Sequence, residues 1–269
     1  MGDAARFRFG DNWESFLFVV SEERIAQAQD SLKRALRRED LSGMTFLDAG
    51  CGSRLFSLAA RRLGARVHSF DYDEMSVACA RKLKERYLPA DEGWIIERGD
   101  VCDRGYLAKL GLFDVVYSWG VLHHTGAMWQ ALENVLMNVS EDGCLYISIY
   151  NDQGVASLIW KKVKRFYCSG PLGRWVVLGV FVPLFAVKGF LKDIVFLKNP
   201  LRRYSEYKKN RGMSVIHDWI DWLGGYPFEV AKPQEITRFY EAKGLHILYM
   251  KTCGRRLGCN EFVFARQKG

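Results

Sequence analysis

The sequence predicts an α/β fold: a doubly wound, mostly parallel sheet of seven strands, with a mainly helical insertion between strand five and the last helix. Three observations predict it. Between residues 41 and 150, short apolar runs alternate with stretches of helical period, the pattern of successive βαβ units. The alternation breaks at Asn151 and resumes at Pro233. Two further apolar runs then close the chain. Composition agrees: with 49% hydrophobic and 26% charged residues in 269, the chain is an ordinary globular one, large enough for one α/β domain with a substantial insertion.

Each element follows in order. Residues 14–38 read as a helix, because Ile25, Ala28, Leu32, Ala35 and Leu36 recur at three- and four-residue steps. Thr45–Ala49 is a short apolar run that leads into GCGS. The helix LFSLAARRLGA follows and is closed by Gly64. RVHSFD is a strand ending in Asp71, and Asp73 is placed as the N-cap of the next helix. WIIERGD ends in Asp100, and FDVVYSWG ends near Trp119. A helix in GAMWQALENVLMNV precedes the fifth strand, CLYISIYN. Pro233 opens the last helix from its first position. LHILYMKTCG and NEFVFARQ are the closing strands. The expected organisation is an N-terminal helical cap over 1–40, a core of 41–150 and 233–269, and an inserted segment over 151–232. Ligands of such sheets bind at the carboxyl ends of the strands, so an insertion after strand five is placed to roof the site.

Charge is concentrated in the insertion. Residues 151–212 hold thirteen Lys/Arg against Asp152, Asp193 and Glu206, whereas the whole chain is +8. A patch of this kind attracts phosphate, anionic lipid or an acidic partner. The same segment carries the longest apolar run, Trp175–Val187, which contains Pro183 and stops at Lys188. A span needs roughly 20 residues, so the run reads as a buried helical hairpin or a helix in a membrane interface, with peripheral contact to an anionic membrane through 160–212. The N-terminus has no apolar stretch of leader length, which points to a cytoplasmic protein. Seven cysteines without a CxxC pair read as reduced thiols, and no metal site is expected.

The first strand–turn–helix, FLDAGCGSRLFSLAA, carries the first chemical signal. Gly50 and Gly52 let backbone approach a ligand, and the helix behind them offers free N–H groups to an anion. A dinucleotide fingerprint would need a third glycine at position 55, where Leu55 stands. Asp71, nineteen residues after Gly52, ends the second strand, where a carboxylate can accept both hydroxyls of a ribose. Asp100 ends the third, where a carboxylate can accept an adenine amino group. Asp48, Asp71 and Asp100 thus form a row of acidic strand ends.

LDAGCGS, SFDYD, RGDV, FDVVYSWGVLHH and EDGCLYISIY stand in the order and spacing of one family. Over roughly 41–150 and 233–269 the chain resembles the class I S-adenosylmethionine-dependent methyltransferases, of the small-molecule, quinone-methyltransferase-like branch. The resemblance implies a Rossmann-like sheet whose last strand is antiparallel, with S-adenosyl-L-methionine as cofactor. It also implies site roles. Gly50 and Gly52 would line the methionine moiety, and Asp48 would orient the glycine loop and the ligand amino group. Asp71 would hold the ribose with Tyr72 beside the adenine. Asp100 would bind the adenine amino group with Val101 against the ring, and Trp119 would flank the cofactor. Arg54 stands where the family has a third glycine. The N-terminal segment with Phe9, Asn12, Trp13 and Phe16 would lie over the cofactor.

A sulfonium methyl group is already activated, so positioning and exclusion of water supply much of the acceleration. A hydroxyl or weakly acidic carbon acceptor also needs a base, and His123 and His124 follow strand four at the expected site mouth. HDWIDWLGGYPFEV (217–230) supplies flat apolar surface in Trp219, Trp222, Tyr226 and Phe228, and acid–base groups in His217, Asp218, Asp221 and Glu229. It is expected to form the acceptor pocket with Tyr150 and Asn151, leaving Asp221 and Glu229 as further catalytic candidates. The leading expectation is methyl transfer to a small hydrophobic or aromatic acceptor. The alternatives are a tRNA or RNA methyltransferase using the basic insertion, which lacks a recognisable RNA module, and a non-catalytic cofactor-binding interaction protein.

Overall fold

Seven strands form one sheet in the order β3-β2-β1-β4-β5-β7-β6, made of Thr45–Ala49 (β1), Arg66–Asp71 (β2), Trp94–Arg98 (β3), Phe113–Trp119 (β4), Val139–Tyr150 (β5), Leu245–Lys251 (β6) and Cys259–Arg266 (β7). The structure, a computed structural model, describes residues 7, 20–52, 54–196, 199 and 215–266, the side chains of 216–218 excepted. The expectations for 14–19, for Phe9, Asn12, Trp13 and Phe16, for Lys198 and the bases of 200–214, and for the side chains of His217 and Asp218 lie outside those residues. β1 to β5 are parallel, and β7 runs antiparallel to both β5 and β6. The doubly wound sheet and its reversed last strand are therefore as expected.

The helices of the sheet are Glu22–Leu36 (α1), Leu55–Arg62 (α2), Glu74–Tyr87 (α3), Arg104–Leu110 (α4), Met128–Leu136 (α5) and, after the insertion, Pro233–Glu241. Adjacent strand residues face opposite ways, and the core divides accordingly. Leu47, Val116, Ile147, Phe262 and Phe264 pack with Leu132 and Val135 of α5 and with Ile236 and Tyr240 of the last helix. On the other face, Phe46, Tyr117 and Tyr146 form a row of rings, and Phe56 of α2 stacks on Tyr117 with centroids 5.1 Å apart. Asp73 caps α3 through Met75 N–H, as its position in the sequence predicts.

Three elements depart from expectation. The helix expected over 14–38 begins only at Glu22, because Ser21 is extended and caps it through Arg24 N–H. α4 is absent from the sequence reading, because seven residues with an internal glycine give no periodic signal. β5 starts five residues early: its Val139, which the sequence reading placed at the end of the preceding helix, pairs with Phe113 across a register shift.

The chain separates into two compact units. Residues 21–154 and 229–269 hold the sheet. The second unit is helical and contains 155–228 with Phe7 and Val20: Val155–Tyr167 (α6), Pro171–Val195 (α7) and Val215–Gly224 (α8); the last helix of the sheet unit, Pro233–Glu241, is α9. α7 corrects the hairpin expected from the apolar run. It is a single helix of 25 residues with Pro183 and Lys188 inside it. One proline removes one hydrogen bond and need not end a helix that packs on both sides of it; Leu178 and Phe181 precede Pro183 in the packed face, and Phe185 follows it. By length and composition alone α7 is sufficient to cross a membrane.

Candidate active site

The loop between β1 and α2 is shaped by positive φ angles at Gly50 (79°), Gly52 (39°) and Arg54 (57°). At Gly50 a Cβ would stand 2.3 Å from Val121 Cγ1, so only glycine fits. The Gly50 and Cys51 amides donate to Phe70 O at 2.9 and 3.0 Å, which ties the loop to β2. Ser118 Oγ donates to Ala49 O at 2.8 Å and ties it to β4. Asp48 is buried beneath the loop, where it accepts from Ser57 Oγ of α2. Ser57 meets Ser69 Oγ at 2.8 Å, and Trp94 Nε1 donates to Ser69 at 2.9 Å. Burial raises the Asp48 pKa from 3.8 to about 7, against the Ser57 hydrogen bond. Asp48 thus fixes the loop through the head of α2.

Asp71 is the last residue of β2. Its Oδ2 accepts from Gly52 N–H and its Oδ1 from Asp73 N–H, both at 3.0 Å. A carboxylate has about four acceptor sites, so two amides leave capacity for a diol. Burial pushes its pKa up, and the Arg54 charge and the two amides oppose the rise. Tyr72 follows, with the Arg98 guanidinium 5.7 Å from its ring centre. Asp100 lies two residues beyond β3, and its Oδ1 accepts from Cys102 N–H at 2.8 Å. Val101 is buried, and its carbonyl is held by Asn134 Nδ2 at 3.0 Å. Trp119 closes β4 and is 42% exposed.

A second cluster follows β4. His123 and His124 lie in the 3-10 turn Leu122–His124. Their ring centres are 4.5 Å apart, and Tyr150 of β5 lies 4.1 Å from His123 and 5.5 Å from His124. Glu229 N–H donates to His123 O at 3.0 Å. Glu229 Oε2 accepts from Met128 N–H at 3.1 Å, where a carboxylate meets the positive end of α5. Asn151 is buried and committed to backbone and to its neighbour: Nδ2 donates to Gly254 O at 2.8 Å, and Oδ1 accepts from Asn260 at 3.1 Å.

The family described as Methyltransferase domain matches residues 20–175, more than half of the chain. The chain belongs to this methyltransferase family. A ubiquinone biosynthesis O-methyltransferase of Methylocella silvestris is 30% identical over 139 residues, 45% of this chain and 52% of that protein. A ribosomal protein L11 methyltransferase of Aeromonas hydrophila subsp. hydrophila is 40% identical over 68 residues, 22% of this chain and 23% of that one. The chain thus spans about half the length, or less, of these curated relatives. A magnesium protoporphyrin IX methyltransferase from Synechocystis PCC 6803, solved with bound SAH, shares the fold at a TM-score of 0.54 and 16% identity, over 90% of this chain and 83% of that one. The class I S-adenosylmethionine-dependent methyltransferase fold expected from the motifs is the fold observed, and S-adenosylmethionine is the family's methyl donor.

The methyltransferase sheet brings together Asp48, Gly50, Gly52, Asp71, Tyr72, Asp100, Val101 and Trp119 at one end of β1 to β4, and His123, His124, Tyr150 and Glu229 in the second cluster. The remaining candidates belong to the helical unit. Asp221 lies in α8, where its carboxylate favours the charged form of Lys164. The Trp222 ring packs on Trp160 and Phe228, and its carbonyl accepts from Lys164 Nζ. Tyr226 O accepts from Phe7 N–H at 3.0 Å. Asp221 and the Trp222 ring are thus engaged within that unit, and Tyr226 through its backbone carbonyl.

Arg54 was visible in the sequence only as a departure from the family pattern. In the structure it is 1% exposed, and among the described residues its Nε and Nη2 have no hydrogen-bond partner, while its charge acts on Asp48, Asp71 and Cys51. Buried donors left unmade are costly, so the guanidinium is a strong candidate to receive an anionic ligand group. No signal in the sequence separates this arrangement from an arginine turned to solvent.

Proposed function

We propose that this methyltransferase transfers a methyl group from S-adenosylmethionine to a small, hydrophobic or aromatic organic acceptor. The observation that carries the donor assignment is the set of groups around the β1–α2 loop. They fit the donor's parts: acidic Asp71 and Asp100 for hydroxyl and amino hydrogens, buried Val101 for the ring, and the orphaned guanidinium donors of Arg54 for a carboxylate. When bound, the donor supplies an electrophilic methyl group. Gly50 and Gly52 would admit its methionine chain, Asp71 would hold the ribose, and Tyr72 and Trp119 would flank the nucleoside.

His123 and His124 are the proposed proton acceptors, with Tyr150 bordering the acceptor. Imidazole is suited to that task because its ordinary pKa lies near 6.5. Glu229, through its contacts to His123 O and Met128 N–H, positions this turn. Asn151 is assigned to holding the end of β5. Exposed Trp119 and the aromatic ring of Tyr150 support an apolar acceptor over a charged one. The same reading includes a cytoplasmic location with peripheral contact to an anionic membrane through 160–212.

The test is incubation of the full chain with isotopically labelled S-adenosylmethionine and cell extract. Label is expected in small organic-soluble metabolites. Label recovered only in RNA or in protein would overturn the acceptor class.

A further inference from the structure

Two helices of the second unit present a surface that an ordinary soluble protein does not. α7 is apolar on both sides. One side, with Leu178, Phe181, Val182 and Phe185, packs against Trp160 and its neighbours in the unit. The other side carries Leu172, Val176, Val180, Leu184, Val187 and Leu191, all exposed. These recur at steps of four or three residues, so they form one continuous stripe along the helix. Trp175, 75% exposed, stands beside its first turn. Only 11% of the most apolar 18-residue window of α7 is buried. Nothing among the described residues covers the stripe. Soluble monomers rarely leave so large an apolar area open.

Charge says what covers it. Six bases are exposed on the same two helices: Lys161, Lys162 and Arg165 of α6, and Arg174, Lys188 and Lys192 of α7. Between 155 and 196 the sequence has one acid, Asp193, and it is buried. An apolar stripe flanked by cations with no exposed acid complements an anionic lipid surface, where acyl chains meet negative headgroups. A second protein surface would need an acidic rim around an apolar groove; a bilayer offers both components along its whole plane.

We propose that the exposed stripe of α7, with the flanking bases of α6 and α7, is a docking surface for an anionic phospholipid bilayer, with α7 lying in the plane of the interface. The in-plane arrangement follows from three facts. The inner side of α7 is occupied by aromatic side chains of its own unit. Lys188 and Pro183 lie within its length, and a central lysine costs about 2.5–3.5 kcal/mol in a spanning helix. Lys161 and Lys162 are exposed on α6, which packs on the inner side of α7 through Trp160, and an in-plane α7 keeps that neighbouring helix in water. In the interface, the stems of Lys188 and Lys192 reach the headgroups while the stripe contacts the acyl boundary. The proposal gives the peripheral contact of the preceding reading a defined surface and rests on that reading for its purpose.

The test uses the full chain and vesicles of phosphatidylcholine, with or without phosphatidylglycerol, in a flotation assay that requires no turnover. Wild type is expected to float with the anionic vesicles, to stay behind with the neutral ones, and to be released by added salt. Leu184→Ser with Leu191→Ser is expected to weaken flotation by about tenfold, and Lys161→Glu with Lys162→Glu to abolish it. S-Adenosylhomocysteine binding and the helical circular dichroism signal, both unchanged in the two variants, show that the sheet unit and the helical unit are folded. Equal binding to neutral vesicles, no binding, or a dimer that the serine pair dissolves would each overturn the proposal. Resistance to alkaline carbonate extraction from cells would overturn the in-plane arrangement. Flotation without methyl transfer would leave this surface standing and count against the enzymatic reading alone.

Discussion

The sheet unit and the helical unit both contain long apolar segments, yet they use them in opposite ways. In the sheet unit, Phe46, Phe70, Phe262 and Phe264 are all but completely buried. In the helical unit, Leu172, Trp175 and Val195 are about three-quarters exposed, at 76%, 75% and 75%. Hydrophobic side chains stabilise a fold only where they leave water. The stripe of α7 therefore contributes little to stability, and its apolar character is accounted for by what binds it.

The contrast is sharpest in truncation. Phe262→Ala in β7 is expected to cost about 3–5 kcal/mol, read as a lower denaturant midpoint. Leu191→Ala on α7 is expected to stay within about 0.5 kcal/mol. Similar losses at the two sites would break the comparison, because the stripe would then be part of a core.

Each unit also holds a buried titratable group whose pKa burial moves far from its ordinary value, and the two respond to pH with opposite sign. Asp48 has a pKa of about 7 in the folded chain against 3.8 ordinarily, with burial as the cause. Between these values the folded chain keeps a proton that the unfolded chain has lost. Stability therefore falls by roughly 1.4 kcal/mol per pH unit as pH rises through that window. Lys164, under Trp222 and Phe228, is lowered by burial from 10.5 to about 7, with Cys168 and Asp221 opposing. Here the unfolded chain holds the extra proton, so stability rises with pH between about 7 and 10.5, with the same slope. Asp48→Asn should flatten the acid limb of a stability–pH profile and leave the alkaline limb, and Lys164→Met the reverse. A profile unchanged by either substitution would contradict the assigned protonation.

A smaller effect separates the donor's two ends. Arg54→Ala is expected to weaken binding of S-adenosylhomocysteine by about 1.5–3 kcal/mol, the scale of hydrogen bonds to a charged group. It should leave binding of methylthioadenosine, which lacks the carboxylate, nearly unchanged. Equal losses for both ligands would return Arg54 to a purely structural role.

Much of the sheet was legible because its signals are local. An apolar run that ends in an acid placed Asp71 at the last residue of β2, and FDVVYSW placed Trp119 at the last residue of β4. Asp73 and Pro233 were readable as helix starts from their own chemistry. What stayed hidden joins distant residues. The chain from Asp48 through Ser57 and Ser69 to Trp94 spans two strands, a helix and the start of a third strand, and no single stretch reports it. The orphaned donors of Arg54 depend on how its side chain is enclosed. The exposure of the α7 stripe is likewise a matter of packing, and sequence alone left it between a buried helical hairpin and a helix in a membrane interface, because Pro183 and Lys188 interrupt the apolar run.

The central claim, that the acidic strand ends grip the nucleoside of a methyl donor, is tested most directly by calorimetric titration of S-adenosylmethionine into wild type and Asp71→Ala. Saturable binding is expected to the wild type, with a loss of about 1–3 kcal/mol in the variant. No heat with wild type, or the same dissociation constant for both, would contradict the claim.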